Sequence, residues 1–320
     1  STTLSVTTNE AATCAWSNTA GSAFASMTPF TTTGGTSHST TLTGLSNGSS
    51  YTTYVKCKDT AGNISTDSST AYSVAASSGG GGSSSCSQAT TFLSRVSVDA
   101  AHQTNYANLI CGLVADGIWS KLDVLYIFAT QNSSAALDNL ISSSFTATPS
   151  GSPTFTVDRG YIMSGSNLIN TNYNFATNGT NYTQNAASIG GWTGTTASNY
   201  NSSWFTSTAY GGDTFIETYD PGSSVAAFSI NGTAKMTIAN TVASGMFAVV
   251  RSDANTESLY HNGSLLSSQA RGTVALENGT FEAGYGTIRA AFAGGGLSAS
   301  DVSNLYTLLS AYMQAVGATP

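Results

Sequence analysis

A chain of 320 residues with 8% charged residues and a net charge of −7 at pH 7 lies far below the roughly 25% charge of an ordinary domain. Its solubility therefore rests on Ser, Thr, Asn and Gly, as in secreted and surface-fibre proteins. Its nine Lys and Arg residues form no cluster, which excludes phosphate-backbone recognition of nucleic acid and disfavours anionic membrane surfaces. No apolar run reaches the roughly 18 residues of a membrane-spanning helix, and no basic and apolar leader opens the sequence, so any signal peptide is expected to be removed or to lie upstream.

The predicted elements begin with alternating runs at Thr3–Thr7, Thr13–Ser17, His38–Thr43 and Tyr51–Cys57, with turns at Asn47-Gly48 and Ala61-Gly62-Asn63. Such spacing predicts an antiparallel sandwich over residues 1–76. Cys14 and Cys57 both fall in these runs, and a cross-strand disulfide is their natural reading. The segment 77–87, rich in Gly and Ser, cannot bury apolar surface and is expected to be a flexible tether. Cys86 pairs with Cys111 across a predicted helix, or Cys111 is a small buried hydrophobe; both readings stay open here. No Cys-x-x-Cys spacing suggests zinc, and an even count favours an oxidising, extracytoplasmic compartment.

Residues 88–320 begin with a helical stripe, Tyr106, Leu109, Ile110, Leu113 and Val114, with Ser97 or Asp99 as cap and Gly117 as stop. Lys121–Thr130 is a near-continuous apolar run, which predicts a strand buried on both faces. Strand-like stretches follow at Phe145–Thr148, Thr154–Tyr161, Ser188–Trp192, Thr214–Tyr219, Val225–Ile230, Gly245–Val250, Glu257–Tyr260 and Thr287–Phe292, with Asn262-Gly263 as a hairpin turn. The final helix opens with a capping box from Ser298 to Asp301 and carries Val302, Leu305, Tyr306, Leu309, Met313 and Val316 on one side.

Two resemblances follow. Val6 through Cys14, then Leu42-Thr43-Gly44-Leu45 with Gly48 and Tyr51, then Tyr54 through Asn63, resemble a bacterial fibronectin type III module, an immunoglobulin-like sandwich that mostly serves as a spacer. The resemblance makes the strands of Cys14 and Cys57 neighbours. It matches Thr3–Thr7 to the family's second strand, so the first strand is expected to be missing and the chain to be cut from a longer protein. Ser258 through Leu266 and Leu297 through Tyr306 resemble the hairpin and closing helix of a concanavalin A-like, or laminin G-like, jelly roll. Phe92 through Asp99, Leu113 through Asp123 and Tyr126 through Gln131 are similar to a type common in prophage-tail and bacterial surface proteins. These resemblances imply an all-β protein: a small sandwich, then a jelly roll with an N-terminal and a C-terminal helix.

Aromatics and amides gather between residues 192 and 219. Trp204 and Tyr200 stand in a polar stretch with Asn201, followed by Tyr210, Asp213 and Tyr219, a mixture suited to stacking on sugar rings and orienting their hydroxyls. Trp192 follows an apolar strand and is expected in the core. Asp213, Asp220 and Asp253 with Asn255 are the candidate Ca²⁺ ligands, although no twelve-residue Ca²⁺ loop is present. No nucleophile elbow, paired histidines or phosphate loop occurs. The expected function is an extracellular or virion-surface adhesin that recognises a cell-surface or matrix carbohydrate, with avidity from repetition on a fibre. One alternative is a polysaccharide-degrading enzyme acting through Asp213, Glu217 or Glu282, favoured if two carboxylates stand about 5–10 Å apart in a groove. Another is a structural fibre subunit, favoured by a large apolar patch without a groove.

Overall fold

The computed structural model describes residues 2–43, 50–73, 86–194, 204–208, 213–220, 223–240, 242 and 244–318. Most of the Gly/Ser tether and the Asn47-Gly48 turn lie outside them. Contacts divide the chain into Ser1–Gly80 and Gly81–Pro320.

The first unit contains β1 (Thr2–Thr7), β2 (Ala12–Ser17), β3 (Thr28–Pro29), β4 (Ser37–Leu42), β5 (Ser50–Asp59) and β6 (Ser68–Ser73). β1 pairs with β4, and a second sheet runs β3-β2-β5-β6. Between them lie Leu4, Cys14, Phe30, Leu42 and Val55. The Cys14–Cys57 disulfide joins residues directly opposite in register on β2 and β5, as the sequence led us to expect. So small a core depends on this staple, which closes a loop with a sequence separation of 43 residues. Cys14→Ser with Cys57→Ser should destabilise the unit by about 4 kcal/mol, seen as a calorimetric transition moved to lower temperature. An unmoved transition would show that the apolar core suffices.

In the second unit, α1 (Ser87–Leu93), α2 (Ala100–Ala115), β7 (Leu122–Ile127), α3 (Ser133–Leu137), β8 (Thr148–Ser150), β9 (Thr154–Thr156), β10 (Gly160–Asn174), α4 (Phe175–Asn178) and β11 (Ala187–Gly194) come first. β12 (Trp204–Ser207), β13 (Thr214–Asp220), β14 (Val225–Ile230), β15 (Met236–Ala239), β16 (Gly245–Asp253), β17 (Thr256–His261), β18 (Ser264–Ala270), β19 (Thr280–Gly294) and α5 (Ala299–Ala315) follow. Phe145 is not in a strand. It takes a left-handed backbone conformation, and its carbonyl accepts the Tyr126 hydroxyl, so the strand expected there starts only at Thr148.

β19 is shared by two leaves. Its first half pairs with β10 and β12, its second half with β7 and β11. Leaf 1 therefore runs β15-β14-β13-β12-β19-β10, and leaf 2 runs β7-β19-β11-β16-β17-β18. Ile169, Phe205, Ile216 and Phe228 of leaf 1 pack on Val124, Tyr126, Phe247 and Val249 of leaf 2. Phe205 lies so close to Gly191 that a Cβ there would overlap its ring. The opposite face of leaf 2, with Leu125, Ile127, Met246 and Phe292, is covered by α1, α2 and α5. β7 is thus buried on both faces, as its unbroken apolar run predicts. The helices seal leaf 2 and leave the outer face of leaf 1 uncovered by this layer.

Local signals explain the helices. Asp99 caps α2 by accepting the His102 amide at 2.9 Å. Ser298 and Asp301 complete a reciprocal capping box on α5, and Asn262-Gly263 takes positive φ at both positions, the requirement of a type I′ hairpin turn. α1 was not expected, and Cys86 holds its N-cap position while forming a disulfide with Cys111.

His102 fixes the start of α2. Its two ring nitrogens lie 2.8 Å from the Asp99 and Asp158 carboxylates. Burial pulls the imidazole pKa down, but the bonds from Asp158 and then Asp99 outweigh it and hold the pKa above the ordinary value. The sign follows from linkage. The anchor is fully present below about pH 6.5, the unfolded value, and is lost as pH rises through the higher native one. Thermal stability of the wild type should therefore fall relative to His102→Gln as pH rises through that window; parallel curves would refute the assignment.

Candidate ligand-binding site

The open face of leaf 1 follows from strand alternation. Along β13, Ile216 and Thr218 are fully buried, whereas Glu217 and Tyr219 are partly exposed and Phe215 is 9% exposed. Register then aligns two rows across four strands. Phe215 stands opposite Thr206, Thr206 opposite Glu282, and Glu282 opposite Asn170. Beside it, Glu217 stands opposite Trp204, Trp204 opposite Gly284, and Gly284 opposite Leu168.

A cavity of about 220 Å³ opens on this face, lined by Ser166, Asn167, Leu168, Thr206, Glu282, Gly284 and Tyr285. Two backbone irregularities build it. The pairing of β10 with β19 shifts register between Met163 and Leu168, and this bulge carries Ser166 and Asn167 to the rim. Tyr285 and Gly286 both take positive φ, which turns β19 as it passes from one leaf to the other. Bulges of this kind commonly re-aim side chains next to sites. Asn167 is fixed by accepting the Ser152 amide at 3.1 Å.

Glu282 is the chemical centre. It is 8% exposed, and the Asn170 side-chain amide donates to it at 3.3 Å. Among the described residues no Lys, Arg or His reaches it. Burial pushes its carboxyl above the ordinary range, and the Asn170 bond only partly offsets this. A desolvated carboxylate of this kind is a strong acceptor for ligand hydroxyls.

The residues singled out from the sequence are distributed unevenly. Trp204 occupies the register position between Glu217 and Gly284. Tyr219 lies on β13, on the alternation that carries Phe215 and Glu217, and Glu217 lies 3.4 Å from Lys235. Tyr200, Asn201 and Tyr210 lie outside the described residues. Asp213 precedes β13, where its amide donates to Glu277 at 3.3 Å and its carbonyl accepts the Gly232 amide at 3.1 Å. Asp220 ends the same strand, about 24 Å away along the strand at roughly 3.4 Å per residue, so the two cannot hold one ion. Asp253 accepts the Asn255 amide at 2.7 Å in the β16–β17 turn. Among the described residues no three His, Cys, Asp or Glu side chains converge on a metal position. Trp192 is buried and stacks on Tyr306. Thr206, Asn170, Asn167 and Tyr285 were not anticipated. The one local signal was Gly284-Tyr285-Gly286, glycines flanking an aromatic inside a strand pattern.

No protein-family model and no curated protein matches the chain. Among solved structures, it is similar to the binding domain of botulinum neurotoxin serotype D, with 15% identity and a TM-score of 0.41, over 59% of this chain and 52% of that one. The botulinum neurotoxin DC binding domain in complex with rat synaptotagmin II gives 14%, 0.42, 59% and 52%. Domain 4 of AbnA, a GH43 extracellular arabinanase from Geobacillus stearothermophilus in complex with arabinotriose, gives 14%, 0.39, 58% and 98%. The chain spans about half the length of the neurotoxin domains it matches. TM-scores below 0.5 are too low for these likenesses to carry a ligand or an activity to this chain.

Proposed function

We propose that the protein is an extracellular carbohydrate-binding protein whose open leaf 1 face recognises an uncharged glycan through the Glu282 cavity. The small N-terminal sandwich serves as a spacer of the fibronectin type III kind. The observation that carries the reading is the lining of that cavity: one desolvated carboxylate, an amide at Asn167, hydroxyls at Ser166 and Thr206, and apolar surface at Leu168 and Tyr285. Hydroxyl pairs of a sugar match the polar groups, and its C–H face matches the apolar ones. The cavity is smaller than the roughly 300 Å³ lower bound of drug-sized pockets, so it suits one ring or chain end, and affinity would grow through repetition. Among the described residues no cation lines it, which disfavours acidic sugars. Two disulfides support an oxidising compartment.

Hydrolysis is disfavoured because Glu282 is the one carboxylate lining the cavity among the described residues. Glu217 shares the face but lies two strands away, with Cα atoms roughly 12 Å apart from strand spacing and rise. A structural fibre role is disfavoured because large exposed apolar side chains are few among the described residues, Ile64, Val157, Ile162, Val242, Leu265 and Leu266, and only Leu265 and Leu266 are adjacent in the chain. The full chain should be screened on a broad glycan array, with and without Ca²⁺, with mass analysis of each bound glycan. Retention of intact uncharged glycans supports the reading. Shortened glycans would make the protein an enzyme, and silence across the array would overturn carbohydrate recognition.

A further inference from the structure

We infer that the helical layer carries a second ligand site, which takes a carboxylate-bearing sugar. A cavity of about 360 Å³ lies among α1, Trp119 and the segment after α3, with Gln88, Thr91, Arg95, Trp119, Ser142 and Ser143 in its wall. It lies on the helix-covered side of leaf 2 and shares no residue with the Glu282 cavity.

Arg95 sets its chemistry. The chain has only nine Lys and Arg residues, and several are neutralised at short range: Lys56 by Asp67, Lys121 by Asp301, Lys235 by Glu217 and Arg251 by Glu257. Arg95 has no carboxylate within ion-pair distance among the described residues. Asp138 feels its field but does not contact it. The guanidinium is nevertheless held in place. Nη2 donates to the Asn139 carbonyl at 2.7 Å and to the Leu140 carbonyl at 3.5 Å, and Cζ stands 5.4 Å above the Phe92 ring. A pre-positioned guanidinium with no contacting carboxylate among the described residues loses little entropy on binding an anion.

The rest of the wall selects a sugar over other anions. Trp119 is half-buried, packed against the helical core on one side while lining the cavity, and an indole of this kind stacks on a pyranose C–H face. The hydroxyls of Thr91, Ser142 and Ser143 and the Gln88 amide suit ring hydroxyls. Phosphate recognition would call for more cations, and among the described residues Arg95 stands alone in the wall.

The test is calorimetric titration of the full chain with a glucuronate-containing tetrasaccharide and with an uncharged tetrasaccharide of equal length. Arg95→Gln should weaken the acidic ligand by about tenfold or more, the scale of a charge-assisted hydrogen bond. Arg95 also holds two carbonyls, so Thr91→Glu is the companion variant: Thr91 is exposed, a carboxylate four residues before Arg95 neutralises the guanidinium as an i,i+4 pair while leaving Arg95 in the chain, and the loss should be similar. Added salt should weaken the acidic ligand. Binding of a glycan selected by the Glu282 cavity should be unchanged in both variants, so failure of this proposal and of the leaf 1 reading remain distinguishable. Wild-type affinity of both variants for the acidic tetrasaccharide, or no binding to the wild type, would overturn the site. Tighter binding of an acidic hexapeptide would overturn the assignment to sugars.

Discussion

Glu257→Ala is expected to destabilise the second unit by about 3–5 kcal/mol, the cost of leaving one partner of a buried ion pair uncompensated. Arg251 and Glu257 stand directly opposite on β16 and β17, and both side chains are fully buried. Arg251 also donates to the carbonyls of Ile230 at 2.8 Å and Arg271 at 3.0 Å, while Glu257 accepts the Ile230 amide at 3.2 Å. The pair therefore ties the end of β14 in leaf 1 to β16 and β17 in leaf 2. Burial pushes the Glu257 carboxyl up, against the pull of Arg251, so the ion pair survives only through its bonds. The double variant Arg251→Met with Glu257→Leu should cost less than either single truncation, because it removes both buried charges together. Denaturant unfolding of the four proteins measures this directly. A loss below about 1 kcal/mol for Glu257→Ala would place the pair with weak surface bridges instead.

Glu282→Gln should do two opposite things: stabilise the fold at neutral pH and weaken ligand binding by about ten- to a hundredfold, the range for a hydrogen bond to a charged group. The stability sign follows from burial. The native pKa of Glu282 is raised, so the unfolded chain loses its proton first, and stability falls as pH rises from about 4.3, the unfolded value, towards the native one. A glutamine side chain does not titrate and escapes this penalty while keeping the shape and the Asn170 contact. A residue held for packing alone would not couple a gain in Tm to a loss of affinity, whereas functional sites commonly show that trade. If the Glu282→Gln variant bound the selected glycan as tightly as the wild type, the carboxylate would not be the recognition group.

Much of the scaffold was visible in the sequence because its signals are local. Ser298 and Asp301 meet within one helical turn, Asn262-Gly263 needs only its own two dihedrals, and β7 announces its double burial as one apolar run. The Cys14–Cys57 pair was readable because both residues sit on alternating strands. The site was harder to see. Asn170, Thr206 and Glu282 are brought together only by the register of β10, β12 and β19, and the Gly- and Asn-rich breaks in that region gave no measure of which strand lies beside which. The sequence drew attention to aromatics around Trp204, a strand-neighbour of this face, and to Glu282 only as one carboxylate of a hydrolytic alternative, not as the centre of a binding cavity. α1 was hidden for another reason: its polar Ser-Gln-Ala-Thr-Thr start continues the composition of the tether, and no side chain caps it.

The most direct test of the account is to fill the cavity. Thr206 is half-buried on the open face and lines it, so Thr206→Trp places an indole where the sugar ring would lie. Calorimetric titration of the full chain with the glycan selected on the array should show binding for the wild type and a loss of about tenfold or more for Thr206→Trp, with Tm unchanged. The same Kd for both proteins would contradict the account and move glycan recognition away from leaf 1.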